Sequence, residues 1–308
     1  VVPPTIEDIH AATTRIGRVL EPTPTVPSPK LDALLKLETL QPTGSFKVRG
    51  ALAALTALEP GARVVTASAG NHGLAVAWAA ERLGIDATVV VAENASAAKV
   101  DAIRRFPARL VVFGDGFDEA ERHALELARV GGERYVSAYN DRGVIAGQGT
   151  LGLELLEALG AGLTIVCPVG GGGLAGGVGL AAAAAGAHVV GVVADASPAM
   201  RAALDAGGIV EVEVKDTLAD GLAGNIEPGS VTFDLVREHV DDVVAVDEGE
   251  IAAAMRFLAR EHGLVVEGSG AAAVAAVLAG AVERRGTVVA VVSGRNVADD
   301  VLTRVLRA

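Results

Sequence analysis

The sequence predicts an α/β protein of two lobes, each a mostly parallel sheet flanked by helices. Three observations lead there. Short β-branched runs alternate with helical pattern along almost the whole chain, as in strand–helix–strand units. At 308 residues the chain exceeds the usual size of a single hydrophobic core. Hydrophobic residues make up 51 % of it but aromatics only 3 %, so Ala, Val, Leu and Gly must build the interior. Such small residues suit helices packed closely on a sheet.

Taken in order, the first chemistry-bearing stretch is Pro42-Thr43-Gly44-Ser45-Phe46-Lys47-Val48-Arg49-Gly50. It puts Lys47 at the start of a helix behind a small-residue turn. The positive end of the helix dipole disfavours an ammonium ion there and lowers its pKa. A free amine attacks a carbonyl, whereas an ammonium cannot. Taken alone, the stretch reads rather as Ser45 capping an ordinary helix with Lys47 on its solvated face.

Val64–Ala67 is an apolar strand-like run and leads, through Ser68-Ala69-Gly70-Asn71-His72-Gly73, into helical pattern over Leu74–Leu83. Exposed N–H groups at that helix start can bind an anion such as a substrate carboxylate. The Asn71 amide can serve a phenolic oxygen or a carboxylate. The plain alternative is a strand-to-helix turn capped by Ser68 or Asn71, with His72 structural. Ala87–Val91 is the next strand, then a helix near Ala97–Phe106, the strand Leu110–Phe113 and the helix Phe117–Val130.

Thr164–Val169 is a further strand and carries Cys167, the only cysteine, expected to be an inert core thiol. Gly170, Gly171, Gly172, Gly173 and Leu174 follow it and open a helix that includes Ala181–Ala185. Four consecutive glycines leave backbone amides free to close around a phosphate. The same residues also match a dinucleotide fingerprint, Gly171-x-Gly173-x-x-Gly176, with Asp195 closing the next strand, Val189–Ala194. That reading leaves Lys47 and the Ser68–Gly73 turn unexplained. Glu211–Gly229 has weak periodicity and is expected to be a loop at a site or interface. Thr287–Val292 is the last strand, and Ser293-Gly294-Arg295-Asn296 stands at its end, where ligands bind in such sheets, before the helix Val297–Leu306.

Charge and composition exclude several classes. A formal net charge of −12 argues against a nucleic-acid binder. One cysteine allows neither an intramolecular disulfide nor a cysteine metal cluster. No apolar run reaches membrane-spanning length uninterrupted, and the start lacks the basic flank and apolar core of a signal peptide. A soluble cytoplasmic protein is expected.

Lys, Asn, a glycine cradle and Ser, each behind a strand, form one pattern. With it the chain resembles the fold type II pyridoxal-phosphate enzymes, tryptophan synthase β-like in fold, and within them the threonine/serine dehydratase and serine racemase group. The resemblance runs from Glu38-Thr39-Leu40-Gln41-Pro42-Thr43-Gly44-Ser45-Phe46-Lys47 to Ser293–Asn296, almost the whole chain. It implies that Lys47 links to the cofactor and later moves the α-proton. Phe46 would line the cofactor ring, Asn71 would bond its 3′-oxygen, and Gly170–Leu174 would hold its phosphate. Ser293 would face the pyridine nitrogen, with Glu267 near that edge. The backbone of Ser68, Asn71 and His72 would receive the substrate carboxylate, beside Ala69. A neutral hydroxyl at the ring nitrogen leaves it largely unprotonated, which favours loss of a β-leaving group. The resemblance further implies a large cofactor lobe over 1–45 and 142–308, a small carboxylate-binding lobe over 46–141, and a homodimer.

Departures from the group sharpen the expectation. Racemases of the group use a serine as second acid/base where this chain has Ala69, and alanine moves no proton. Dehydration is therefore expected over racemisation, on L-threonine or L-serine, giving a 2-oxo acid and ammonia. Arg295 replaces a glycine; it is either a surface cap or a reach towards a polar substrate tail, as in threo-3-hydroxyaspartate or a hydroxyectoine-derived amino acid. Ala194 stands where the group's cation site has an acidic ligand, so no metal ligand is assigned. The chain ends soon after Ser293, so the regulatory domain of biosynthetic threonine dehydratases is not expected. A nicotinamide-dependent oxidoreductase and a non-catalytic pyridoxal-phosphate binder remain the readings of other classes.

Overall fold

The structure is a computed structural model describing residues 1–307. Its strands are β1 Thr25–Ser28, β2 Ala33–Leu37, β3 Arg63–Ala67, β4 Asp86–Val91, β5 Arg109–Val112, β6 Arg134–Tyr135, β7 Leu163–Pro168, β8 His188–Ala194, β9 Asp242–Val246 and β10 Thr287–Val292. They form two sheets, one of six strands in the order β1-β2-β10-β7-β8-β9, and one of four in the order β5-β4-β3-β6. Every pairing is parallel except β1 with β2. The antiparallel pair is the exception in a mostly parallel sheet, and Pro27 in β1 suits its place at the edge, since proline cannot donate to a further strand.

The helices are α1 Ile6–Ile16, α2 Lys47–Leu55, α3 Asn71–Leu83, α4 Ala97–Ile103, α5 Phe117–Gly131, α6 Arg142–Leu159, α7 Gly173–Ala183, α8 Ala199–Ala206, α9 Val231–His239, α10 Glu248–His262, α11 Gly268–Leu278 and α12 Asp299–Arg307. α7 to α11 lie on both faces of the large sheet, and α3, α4 and α5 cover the small one. Val190, Val192, Ala290 and Val292 pack on Leu258 of α10 and Ala272 of α11. Ile165, Cys167, Val189 and Val291, pointing the other way, pack on Leu174, Ala203 and Phe233 of α7, α8 and α9. Strands buried on both faces read as continuous apolar runs, which is why the sequence marks them. Burial pushes the Cys167 thiol up to about 12, so it stays an uncharged core group.

α4 stops at Ile103, three residues short of the expected end, because Pro107 disfavours helical geometry in Phe106. α12 starts at Asp299 and not at Val297. α6 joins the lobes by close backbone packing. A Cβ at Gly147 would stand 2.5 Å from the Arg49 carbonyl oxygen of α2, and one at Gly177 of α7 would stand 2.5 Å from the Ile145 carbonyl oxygen. No helix of the described residues is long and apolar enough to cross a membrane.

Candidate active site

The segments singled out in the sequence leave the carboxyl ends of parallel strands, and contacts between them place those ends face to face. β10 ends at Val292, and the next residues pair with the turn before Lys47. Phe46 N–H donates to the Ser293 carbonyl at 3.0 Å and Arg295 N–H to the Gly44 carbonyl at 2.9 Å. Ser45 and Gly294 thereby form an isolated antiparallel bridge. Gly44 takes φ +76° at this turn, a conformation that costs glycine little.

Lys47 is the first residue of α2, as expected, but Ser45 does not cap it. Phe46 occupies the cap position in helical conformation, and the Ser45 hydroxyl is fully buried without a partner. The Lys47 amine donates to the Ala138 carbonyl at 2.7 Å and lies 5.3 Å from the centre of the Phe46 ring. Its pKa falls to about 8, and burial is the leading cause, with Glu267 pulling the other way. The helix start acts in the same direction as burial. At pH 7.5 about a quarter of such an amine is free, against about one part in a thousand for an ordinary lysine.

Behind Lys47 lies a buried ion network. Arg49 Nε and Nη2 donate to Glu38 at 2.7 and 2.8 Å, and Nη1 and Nη2 donate to Glu154 at 2.9 and 2.8 Å. Lys36 adds a contact to Glu154 at 2.7 Å. The fork of Arg49 holds both carboxylates, and Glu38 sits below the usual carboxylate range because Arg49 outweighs its burial. This clamps the first turn of α2 to β2 and α6.

After β3, the Ser68 N–H is not free for a carboxylate, because it donates to the Val90 carbonyl at 3.1 Å and so completes the sheet. The hydroxyl of Ser68 accepts from Gly70 N–H at 3.1 Å. Gly70, not Ser68 or Asn71, is the cap residue of α3. The first bond of the helix is Leu74 N–H to the Gly70 carbonyl, so the amides of Asn71, His72 and Gly73 have no partner within it. The His72 ring points away into the core, bonded to the Val136 carbonyl at 3.0 Å. Burial lowers its pKa to about 3, so it stays neutral. Ala69 lies half-buried in the same turn.

Asn71 Nδ2 donates to Glu267 Oε1 at 2.7 Å, across the lobes. Burial raises the Glu267 carboxyl to about 7, with Asp220 adding to the rise. Asp220 belongs to the expected loop Glu211–Gly229, whose Gly221 N–H donates to Ser269 Oγ at 2.9 Å. The Ser293 hydroxyl is buried with only a long, 3.5 Å contact to the Ser269 carbonyl, so it has capacity for another partner. Arg295 is exposed and lies across Gly44 at the rim.

The four glycines form a lined cradle. Gly172 takes φ +86° and caps α7, and the first helical bond there is Gly176 N–H to the Gly172 carbonyl at 2.8 Å. A Cβ at Gly171 would stand 2.4 Å from Tyr139 Cγ, and one at Gly173 would stand 3.0 Å from Tyr139 Cα. Thr232 Oγ1 donates to the Gly171 carbonyl at 2.6 Å, turning that peptide's N–H the opposite way. Sequence reasoning missed Tyr139 and Thr232, and it gave Asn296 no role although it marked the segment Ser293–Asn296. Tyr139 follows β6, only two residues long, and no β-branched run marks that strand end.

Comparison with known proteins bears on this cleft. A family model described as pyridoxal-phosphate dependent enzyme matches residues 16–294. The chain is 42 % identical to an L-threonine ammonia-lyase of Thermotoga maritima, over 98 % of this chain and 78 % of that protein. Maize serine racemase superposes with a TM-score of 0.93 at 32 % identity, covering 99 % of this chain and 98 % of that one. The processed form of threonine deaminase isoform 2 from Solanum lycopersicum superposes with a TM-score of 0.90 at 33 % identity, covering 100 % and 92 %. The residues present fit pyridoxal phosphate. The cradle admits no side chain, the amides opening α7 have no partner within the helix and suit an anion, and an amine of lowered pKa and a buried hydroxyl with spare capacity stand nearby.

Proposed function

The chain belongs to the pyridoxal-phosphate dependent enzymes, and from that premise we propose that it dehydrates and deaminates L-threonine or L-serine to a 2-oxo acid and ammonia. The observation that carries the reading is Lys47, whose amine of lowered pKa stands at the meeting of the two sheets' carboxyl ends. Pyridoxal phosphate, when bound, supplies a carbonyl that condenses with amines and a ring that takes up an electron pair.

The chain's own residues do the rest. Gly170 to Gly173 and Leu174 would hold the phosphate by backbone amides and the start of α7. Asn71 Nδ2 would donate to the ring oxygen, Phe46 would line the ring, and Ser293 Oγ would meet the ring nitrogen. The free amides of Asn71 and His72, with the Ser68 hydroxyl, would orient the substrate carboxylate. Lys47 Nζ would take the α-proton of a bound substrate. Glu267, near half-protonated at neutral pH, would stand beside that edge. Ala69 supports elimination over racemisation, because it has no proton to deliver to the other face. The six- and four-stranded sheets support a cofactor lobe over 1–45 and 142–308 and a carboxylate lobe over 46–141.

A second substrate reading has one observation in its favour. Arg295 stands exposed at the rim and has no acidic partner among the described residues, so a β-hydroxy amino acid with an acidic tail would find a cation there. A cytoplasmic homodimer completes the proposal, supported by the habit of the family; light scattering of purified protein tests the dimer. The function is tested by assaying 2-oxo acid from L-threonine, L-serine and L-threo-3-hydroxyaspartate with the parent and Lys47→Ala. Release that Lys47→Ala abolishes supports the reading; undiminished release in the variant, or none from any substrate with the parent, sinks it.

A further inference from the structure

The side chain of Asn296 links three segments that the site needs together. Its Nδ2 donates to the Thr43 carbonyl at 2.8 Å and to Asn71 Oδ1 at 2.6 Å. Asn71 Nδ2 in turn donates to Glu267 Oε1 at 2.7 Å. The chain of bonds thus joins the turn before Lys47, the end of β10 and the start of α3.

Its polarity is fixed at the Thr43 end. A backbone carbonyl only accepts, so the atom of Asn296 facing it must be the amide nitrogen. The second proton of that nitrogen meets Asn71, which must then present its oxygen. Turning the Asn71 amide over would oppose two NH₂ groups at 2.6 Å. The other end fixes less, because burial raises Glu267 to about 7 and it loses its charge near neutrality. A protonated carboxyl can donate as well as accept, and so tolerates either orientation of Asn71. Asn296 is the end of the chain that does not titrate.

We propose that Asn296 is a positioning residue: it holds the Asn71 amide with Nδ2 towards the cofactor's ring oxygen and ties it to the Lys47 segment. This rests on the reading of Asn71 as the donor to that oxygen. A donor stabilises the ionised oxygen, so losing it raises the pH midpoint at which the lysine-linked cofactor changes its visible absorbance.

The test compares the cofactor-loaded parent with Asn71→Ala, Asn296→Asp, Asn296→Ala and the double Asn71→Ala/Asn296→Ala variant. The readout is the pH midpoint of the visible band. Asn71→Ala and Asn296→Asp should each raise it by about one pH unit, and the double variant should match Asn71→Ala alone, since Asn296 acts through Asn71. Asn296→Ala, which only deletes the amide, carries the test if the aspartate variant does not fold. An unmoved midpoint in the Asn296 variants, with a shift in Asn71→Ala, overturns the positioning role. An additive double variant overturns it too. An unmoved midpoint in Asn71→Ala removes the reading of Asn71 and the proposal with it.

Discussion

The Lys47 amine donates to the Ala138 carbonyl at 2.7 Å, and the next residue is the Tyr139 whose ring closes over Gly171. One short segment after β6 therefore touches both the amine and the glycine cradle. Asn140 extends it, accepting from Val231 N–H at 3.1 Å at the start of α9. This segment therefore links the amine to the cradle directly.

Gly171→Ala should disturb that link. Its Cβ would stand 2.4 Å from the Tyr139 ring, so the ring or the loop must move. Overpacking of this kind costs about 1–3 kcal/mol, and cofactor affinity should fall about tenfold or more. Fluorescence titration of cofactor-free protein measures it. Adding Tyr139→Ala should recover part of the loss if the clash is the cause.

Capture of the cofactor should follow the free amine of Lys47. The amine's pKa lies near 8, so the capture rate of cofactor-free protein should rise about tenfold per pH unit below 8 and level off above. Stopped-flow absorbance reads this directly. Stability follows the same group. Its folded pKa is below the unfolded 10.5, so the unfolded chain binds more protons between about 8 and 10.5, and this group's cost to folding is relieved as pH rises through that window.

Removing Glu38 should be far more damaging than removing an exposed carboxylate. Glu38→Ala leaves Arg49 buried with half its fork unpaired and should cost about 3–5 kcal/mol in urea unfolding. Removing Arg49 and Glu38 together should cost less than the sum of the single losses, because neither charge is then left alone.

Ala69→Ser should add a proton carrier where the parent has none. D-serine formed from L-serine should rise at least about tenfold while elimination persists, an effect of the size general acid–base catalysis supplies. Chiral chromatography of the product mixture measures both.

Much of the fold was legible because β3, β4, β7, β8 and β10 are buried β-branched runs and β5 is a short, partly buried apolar run, and their bounds shift by one residue at most. β1, β2, β6 and β9 were not read. Pro27 obscures β1, β6 is two residues long, and Asp242 opens β9. α6 hid for a different reason. Gly143, Gly147, Gly149 and Gly152 lower its helix propensity, and only the neighbours α1, α2 and α7 explain them. Asn71, the glycines and Ser293 carry local signals at strand ends, and Lys47 carries one at a helix start. Tyr139 and Thr232 serve the site through Gly171, 32 and 61 residues away in sequence, and nothing local marks them; Asn296 stands in the marked segment after β10, but its partners Thr43 and Asn71 lie 253 and 225 residues away. The helix-dipole argument for Lys47 had the right sign, but burial is the leading cause.

The most direct measurement is the visible absorbance of the protein loaded with pyridoxal phosphate, recorded before and after L-threonine or L-serine, for the parent and for Lys47→Ala. The parent should show the band of a lysine-linked cofactor, which shifts on adding the amino acid as 2-oxo acid accumulates, and Lys47→Ala should show neither the band nor the product. A parent that shows no such band with added cofactor, or a Lys47→Ala variant that keeps the band and the turnover, would contradict the assignment of Lys47.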